Sequence, residues 1–127
     1  MAAVSFLEEG QLQAVEELIG FRFTNRHWLL EALQAAGLIN RDRNKKLAII
    51  GDKVLGLIAS NSYLAERGFL MGLDRYIVNN PAQGGLIPAK LMATTVEAIL
   101  GAVARDSDSD LTVVENVADA LGLSWYQ

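Results

Sequence analysis

Apolar residues recur at helical spacing along most of the chain. Leu12, Val15, Leu18 and Ile19 fall on one face of a first helix, for which Ser5 and Glu8 offer a capping box and Gly20 a stop. A turn then leads into a second helix capped by Thr24 or Asn25, with Trp28, Leu29, Ala32 and Leu33 along it and Gly37 at its end. Between Lys46 and Arg67 there is no proline and only two glycines, while Leu47, Ile50, Val54, Leu57, Ile58 and Leu64 mark one apolar stripe. That stripe predicts a continuous helix of over roughly five turns. The stretch "GFLMGLDRYIVNNPAQGGLIP" is rich in breakers, at Gly68, Gly72, Asn79-Asn80-Pro81 and Gly84-Gly85. Pro88 suits the first turn of a helix through Leu91, Val96, Ile99, Leu100 and Val103. A last helix is expected from Thr112, with Glu115 completing a capping box, to Gly122. The fold class is all-α.

Composition narrows the chemistry. At 127 residues, with 51% hydrophobic and 20% charged positions, the chain is expected to form one globular domain over residues 1–127. No apolar run approaches the roughly 20 residues that span a bilayer, and the first ten residues lack the pattern of a signal peptide, so the expected location is intracellular, cytoplasmic by default, with no membrane partner. Cysteine is absent and His27 is the single histidine, which excludes thiolate sites and multi-histidine metal sites. Any metal must be held by oxygen. The net charge of −4 gives no global attraction to nucleic acid, so a local patch must supply it. The dense cluster is "RDRNKK", with Arg41, Arg43, Lys45 and Lys46, which reads either as a solvated loop or as a set of phosphate contacts. The acidic run "DSDSD" from Asp106 fails as a calcium loop, because Leu111 and Val117 stand where such a loop needs glycine and glutamate. It reads as a solvated loop whose charge favours the helix that follows.

Two segments in order carry a resemblance. "NKKLAIIGDKVLGL", Asn44 to Leu57, resembles the signature helix N-E-R-L-E-F-L-G-D-A-V-L of the ribonuclease III domain, and "LMATTVEAILGAV" resembles the later A-D-T-[FV]-E-A-L-[IL]-G-A helix of the same family. "FTNRHWLLEALQAAG" and "SNSYLAERGFLMGLDRYI" resemble its entry helix and the segment before its second acidic helix. The wording is most similar to stand-alone ribonuclease III-like proteins of filamentous fungi. The resemblance implies an all-helical, dimeric domain in which four acids per subunit bind Mg²⁺ and activate water against double-stranded RNA. Carried over position by position, two of those acids are kept as Asp52 and Glu97, and two are replaced by Ala48 and Thr94. A further acid common at the start of the signature is replaced by Lys45.

The resemblance thus implies a depleted site. A carboxylate about 4 Å from a unit charge is worth roughly 4 kcal/mol at an effective dielectric near 20, and about twice that against a divalent ion. Losing two such groups points to a non-catalytic, homodimeric RNA-binding or assembly module, with no cofactor required. Asp52 and Glu97 are then kept for structure, or as a weak Mg²⁺ site. The alternative is an unusual Mg²⁺-dependent endoribonuclease for double-stranded RNA that completes its site with Thr94, water or a partner's acid; a ribosome-associated role is a third reading. No double-stranded RNA-binding domain is expected. Relatives place some two dozen residues between "GDxVLGL" and "SN", whereas here Ile58-Ala59-Ser60-Asn61 follows at once. A continuous helix through both would carry Leu64, Phe69 and Leu73 away from their own core. The expectation is an obligate homodimer, with exchange of this segment between copies as one way to build it.

Overall fold

The computed structural model describes residues 8–34, 43–55, 61–78 and 86–123. Six α-helices follow one another among them: α1 (Glu9–Ile19), α2 (His27–Ala32), α3 (Arg43–Leu55), α4 (Asn61–Leu70), α5 (Ala89–Asp106) and α6 (Leu111–Ala120), with a 3₁₀ turn at Leu73–Tyr76. A one-residue parallel bridge joins Gln34 to Val78. The all-α class expected from the spacing is what the described residues form.

Helix α5 is the axis. It starts after Pro88, whose fixed φ and missing N–H suit that place, and at 18 residues it is about 27 Å long. From Met92 to Ala104 it is buried nearly all round, because α2, α3, α4 and α6 all pack on it. A helix enclosed on every side needs small residues where neighbours come close. Ala93, Ala98, Gly101, Ala102 and Ala104 supply them. The tightest approach is that of α3. A Cβ on Gly51 would overlap the Glu97 carbonyl oxygen, and a Cβ on Gly101 would overlap the Leu47 carbonyl oxygen, so each helix meets the other's backbone through a glycine.

Helix ends show how local chemistry was resolved. Glu8, rather than Ser5, caps α1: its side chain accepts from the Gln11 amide, and Gln11 Oε1 accepts from the Glu8 amide at 2.9 Å. Ser5 itself lies outside the described residues. Asp110, rather than Thr112, caps α6, accepting from the Thr112 and Val113 amides at 3.0 and 3.3 Å. A carboxylate at this end also gains from the helix dipole, which a threonine hydroxyl does not. Gly20 and Gly122 take positive φ after α1 and α6, as expected. Gly68 does not break its helix: it sits buried within α4, where a Cβ would come within 2.7 Å of Met92 Cγ. The second helix stops at Ala32, short of the end expected at Gly37, because Leu33 turns and Gln34 enters the bridge to Val78.

The described residues do not fit one straight helix from Lys46 to Arg67, which would set Gly51 and Gly68 about 26 Å apart, whereas both lie against the Met92–Gly101 stretch of α5. Helix α3 ends at Leu55 and α4 begins at Asn61, with residues 56–60 outside the described residues. Helix α4 lies back on α5 of its own chain, and Leu64 and Leu73 are both fully buried without a second copy. Tyr63 Oη donates to the Gly122 carbonyl at 2.8 Å and Arg67 Nε to the Leu121 carbonyl at 2.9 Å, tying α4 to the end of α6 as well. The propensity argument lost to packing. Extending a helix gains tenths of a kcal/mol per residue, whereas burying one leucine is worth about 1.5–3 kcal/mol. Leu64 and Leu73 therefore need no second copy to cover them, whereas Phe69 is 41% exposed.

Glu16 was not singled out by its sequence, although it interrupts the apolar face of α1. It is 4% exposed. Arg26 binds it through Nη2 at 2.8 Å and Nε at 3.1 Å, and the Phe23 amide donates to it at 2.9 Å. Arg26 also reaches Glu9. Burial alone would push the Glu16 carboxyl up, but the Arg26 and Phe23 hydrogen bonds and the cationic neighbours hold it below the usual range.

The glycine contact yields a prediction of sign. Replacing a mid-helix glycine by alanine normally stabilises by up to about 1 kcal/mol. Here the added methyl meets backbone, which cannot rotate away. Gly51→Ala and Gly101→Ala should each destabilise the fold by about 1–3 kcal/mol, read as a lower midpoint in chemical denaturation. A rise in either midpoint would show that α3 and α5 are not in contact at this point.

Candidate functional site

The α3–α5 crossing brings Asp52 and Glu97 together. Asp52 follows Gly51 on α3, and Gly51 lies against the Glu97 backbone, so the crossing that requires glycine also sets the two carboxyls side by side. Asp52 is exposed and Glu97 is half-buried. Burial, then the Asp52 carboxyl beside it, raise the Glu97 pKa to about 7. Two carboxyl groups in contact hold a proton between them unless a cation replaces it.

The other two positions assigned to the acids of the resemblance line the same crossing. Ala48 is one turn before Asp52 on α3 and is 7% exposed, and Thr94 is half-buried on α5 one turn before Glu97. Neither bears charge. Among the described residues no group of three His, Cys, Asp or Glu side chains is placed to hold a metal ion. Two carboxylates and one hydroxyl do suit a Mg²⁺ ion that keeps several of its waters, which is how Mg²⁺ is usually bound.

The basic cluster is placed in part. Arg41 lies outside the described residues and Arg43 opens α3, while Lys45 and Lys46 are exposed in the first turn of that helix. Lys53 is exposed near its other end. His27 is exposed at the start of α2, where its amide donates to Asn25 Oδ1 at 2.9 Å. It lies in no catalytic grouping shown here. The acidic run is structural: besides the Asp110 cap, Asp106 accepts from the amides of Thr24 and Asn25 at 2.7 and 2.8 Å. It thereby anchors the turn before α2 to the end of α5. Arg105 stacks over Trp28 at 5.6 Å beside it.

Asn44 is a polar group whose importance only the structure reveals. Fully buried at the base of α3, it donates through Nδ2 to the Ala32 carbonyl at 3.1 Å and to Thr95 Oγ1 at 3.2 Å. It so joins α2, α3 and α5 two turns before Asp52. Its place at the head of the signature-like segment was the only signal available.

Comparison with known proteins follows the same lines. No family model matches the chain. Ribonuclease 3 of Aliivibrio fischeri is 27% identical over 142 aligned positions, which take up 91% of this chain and 60% of that protein. Ribonuclease 3 of Vibrio atlanticus is 30% identical over 146 positions, with the same coverage. The chain therefore spans about 60% of the length of these relatives. Because 142 positions align to 91% of a 127-residue chain, about two dozen have no counterpart here, which matches in size the shortening expected after the signature-like segment. Among solved structures, the nuclease domain of ribonuclease III from Campylobacter jejuni superposes with a TM-score of 0.74 at 16% identity, over 94% of this chain and 97% of that one. The chain has the ribonuclease III nuclease-domain fold, and its sequence is similar to bacterial ribonuclease 3.

The carboxyl pair gives a pH dependence whose sign is fixed. Glu97 binds its proton more tightly when folded, at about 7 against 4.5 for the ordinary group, so the folded state holds the extra proton between those values. Stability from this group is complete below about 4.5 and is lost as pH rises through about 7. Glu16 shifts the opposite way and acts at lower pH, so the two windows separate. The melting temperature should fall between pH 5 and pH 8, and Glu97→Gln should flatten that fall. An unchanged slope in the variant would place the titration elsewhere.

Proposed function

We propose that this chain is a member of the ribonuclease III family that no longer cleaves RNA and serves as a homodimeric RNA-binding or assembly module. The observation that carries the reading is that uncharged Ala48 and Thr94 stand one turn from Asp52 and Glu97, the two carboxyls that the α3–α5 crossing sets side by side. A site made for a divalent ion keeps its carboxylates ionised through the ion's own charge. Two carboxylates offer such an ion about half the attraction that four would. The wording of the two acidic-helix motifs supports placing the chain with the fungal stand-alone members.

Double-stranded RNA is the ligand class the reading implies. Lys45 and Lys46 are exposed where α3 begins, and with Arg41 and Arg43 they form the concentrated basic stretch of an otherwise acidic chain. Binding through four phosphate contacts would be weak and would fall steeply with salt. The outward face of α3 also supports a second copy as partner. Ile49 is 58% exposed there, between Lys45 and Lys53.

A second reading rests on the fact that both retained acids do face each other. When bound, Mg²⁺ supplies charge that lowers the pKa of water and neutralises phosphate. Asp52 and Glu97 would hold it, with the Thr94 hydroxyl as the neutral third oxygen. In that case the chain is a slow, Mg²⁺-dependent endoribonuclease.

Duplex-RNA cleavage with and without Mg²⁺ separates the two. The expected result is no Mg²⁺-dependent product from the wild-type chain. Robust cleavage that disappears in Asp52→Asn or Glu97→Gln would establish the second reading instead. Restoring both acids, as Ala48→Glu with Thr94→Asp, should tighten Mg²⁺ binding in calorimetry by about tenfold or more, which is a gain of about 1.4 kcal/mol. No gain would show that these positions do not face the carboxyl pair. The partner surface has its own check: light scattering should give a dimeric mass for the wild type and a monomeric one for Ile49→Asp. A wild-type monomer at micromolar concentration ends the dimer reading.

A further inference from the structure

A groove of about 440 Å³ lies between α1 and the end of α4. No described residue of α3 or α5 lines it, so it is separate from the crossing that carries Asp52 and Glu97. Leu18 stands on one wall, and Leu70, Met71 and Tyr76 stand on the other. Helix α1 packs on the 3₁₀ turn and that turn packs on α4, which holds the two walls in place. Apolar side chains gather here at the surface: Leu70 is 66% exposed, Phe69 beside it 41%, and Leu18 across the groove 36%. A single exposed leucine is ordinary, but several around one depression mark a surface that another molecule covers.

Charge is divided between the walls. Glu17, beside Leu18, is exposed and accepts a hydrogen bond from Gln13 at 3.3 Å. Arg75, on the opposite wall, is exposed and makes no ion pair among the described residues. A guanidinium at the rim of an apolar groove favours an occupant that brings a carboxylate to that side, and Glu17 disfavours a carboxylate on the other. The shape of the occupant follows from its backbone. An extended peptide binds by adding to a sheet edge, and the described residues form only the one-residue bridge between Gln34 and Val78. A helix satisfies its own backbone groups and needs only a groove for its apolar face.

We propose that this groove docks an amphipathic helix of another protein, which lays apolar side chains one turn apart between Leu18 and Leu70 and sets an acidic side chain against Arg75. Such docking is a form of the assembly role proposed above and rests on that reading, while the outward face of α3 stays free for a second copy.

The full chain, labelled at its leucine methyls, tests this by titration with a synthetic amidated helix that carries leucines along one face, glutamates on one flank and lysines on the other. The methyl signals of Leu18 and Leu70 should shift and saturate. Leu70→Asp should weaken binding by about tenfold or more, since it removes the most exposed apolar contact. Arg75→Gln, or a peptide with glutamine for glutamate, should each weaken it by about threefold, as a rim ion pair does, and the two together should cost no more than either alone. No saturable shift at millimolar peptide overturns the proposal, and so do losses that add when Arg75→Gln meets the glutamine peptide. Light scattering separates this from the dimer reading: Leu70→Asp should keep the mass of the wild type, whatever that mass is. A lower mass would put a second copy in the groove, and a crystal structure with residues 1–7 or 79–85 seated there would fill it from the chain itself; either result overturns the docking of a foreign helix.

Discussion

The close approach of α3 to α5 is the constraint on which the rest of the structure depends. Both helices give up a side chain to make it, Gly51 on one and Gly101 on the other, and each glycine faces a carbonyl of its partner. Glycine in a helix costs about 1 kcal/mol of propensity, so two of them at one crossing are justified only by the contact they permit. That contact sets the rotation of α3. With it set, Leu47 and Ala48 turn inward, Lys45, Ile49 and Asp52 turn outward, and Asp52 meets Glu97. A wider crossing, of the kind larger side chains would impose, would part the carboxyls and leave the core below them unfilled.

The site that results is electrostatically self-contained. Uncharged Ala48 and Thr94 lie one turn from Asp52 and Glu97, and the Asp52 charge adds to burial in raising the Glu97 pKa to about 7. Ala48 is buried against the core and Thr94 is half-buried, so both positions serve packing.

Much of this was legible in the residues. The two acidic-helix motifs placed Asp52 and Glu97 in register, and Pro88 marked the start of α5. What the sequence could not show was set by contacts between distant residues. That α3 and α4 each pack on α5 has no strong local signal, since residues from Lys46 to Arg67 include no proline; it follows from the gain in burying Leu64 on α5. Choices of cap were likewise decided by three-dimensional position. Asp110 and Thr112 are both good caps by type, and only Asp110 stands outside the first turn of α6 with its carboxylate over the free amides. The Glu16–Arg26 pair and the Asn44 clasp lie ten or more residues apart in sequence and carry no spacing rule that would reveal them.

The ties from α4 to the end of α6 bear on how the molecule opens. Tyr63 and Arg67 bind the Gly122 and Leu121 carbonyls, which are the chain's last stop after α6. Helix α4 also covers α5 through Leu64 and Gly68. A fluctuation that lifts α4 therefore uncovers the central helix and releases the carboxyl end of α6 in one event. Residues more than fifty apart in the chain are joined into one cooperative unit, so amide protons on α4, α5 and the last turn of α6 are expected to exchange with solvent together. The short helix α4 thus governs the motions of a far larger part of the protein than its own length.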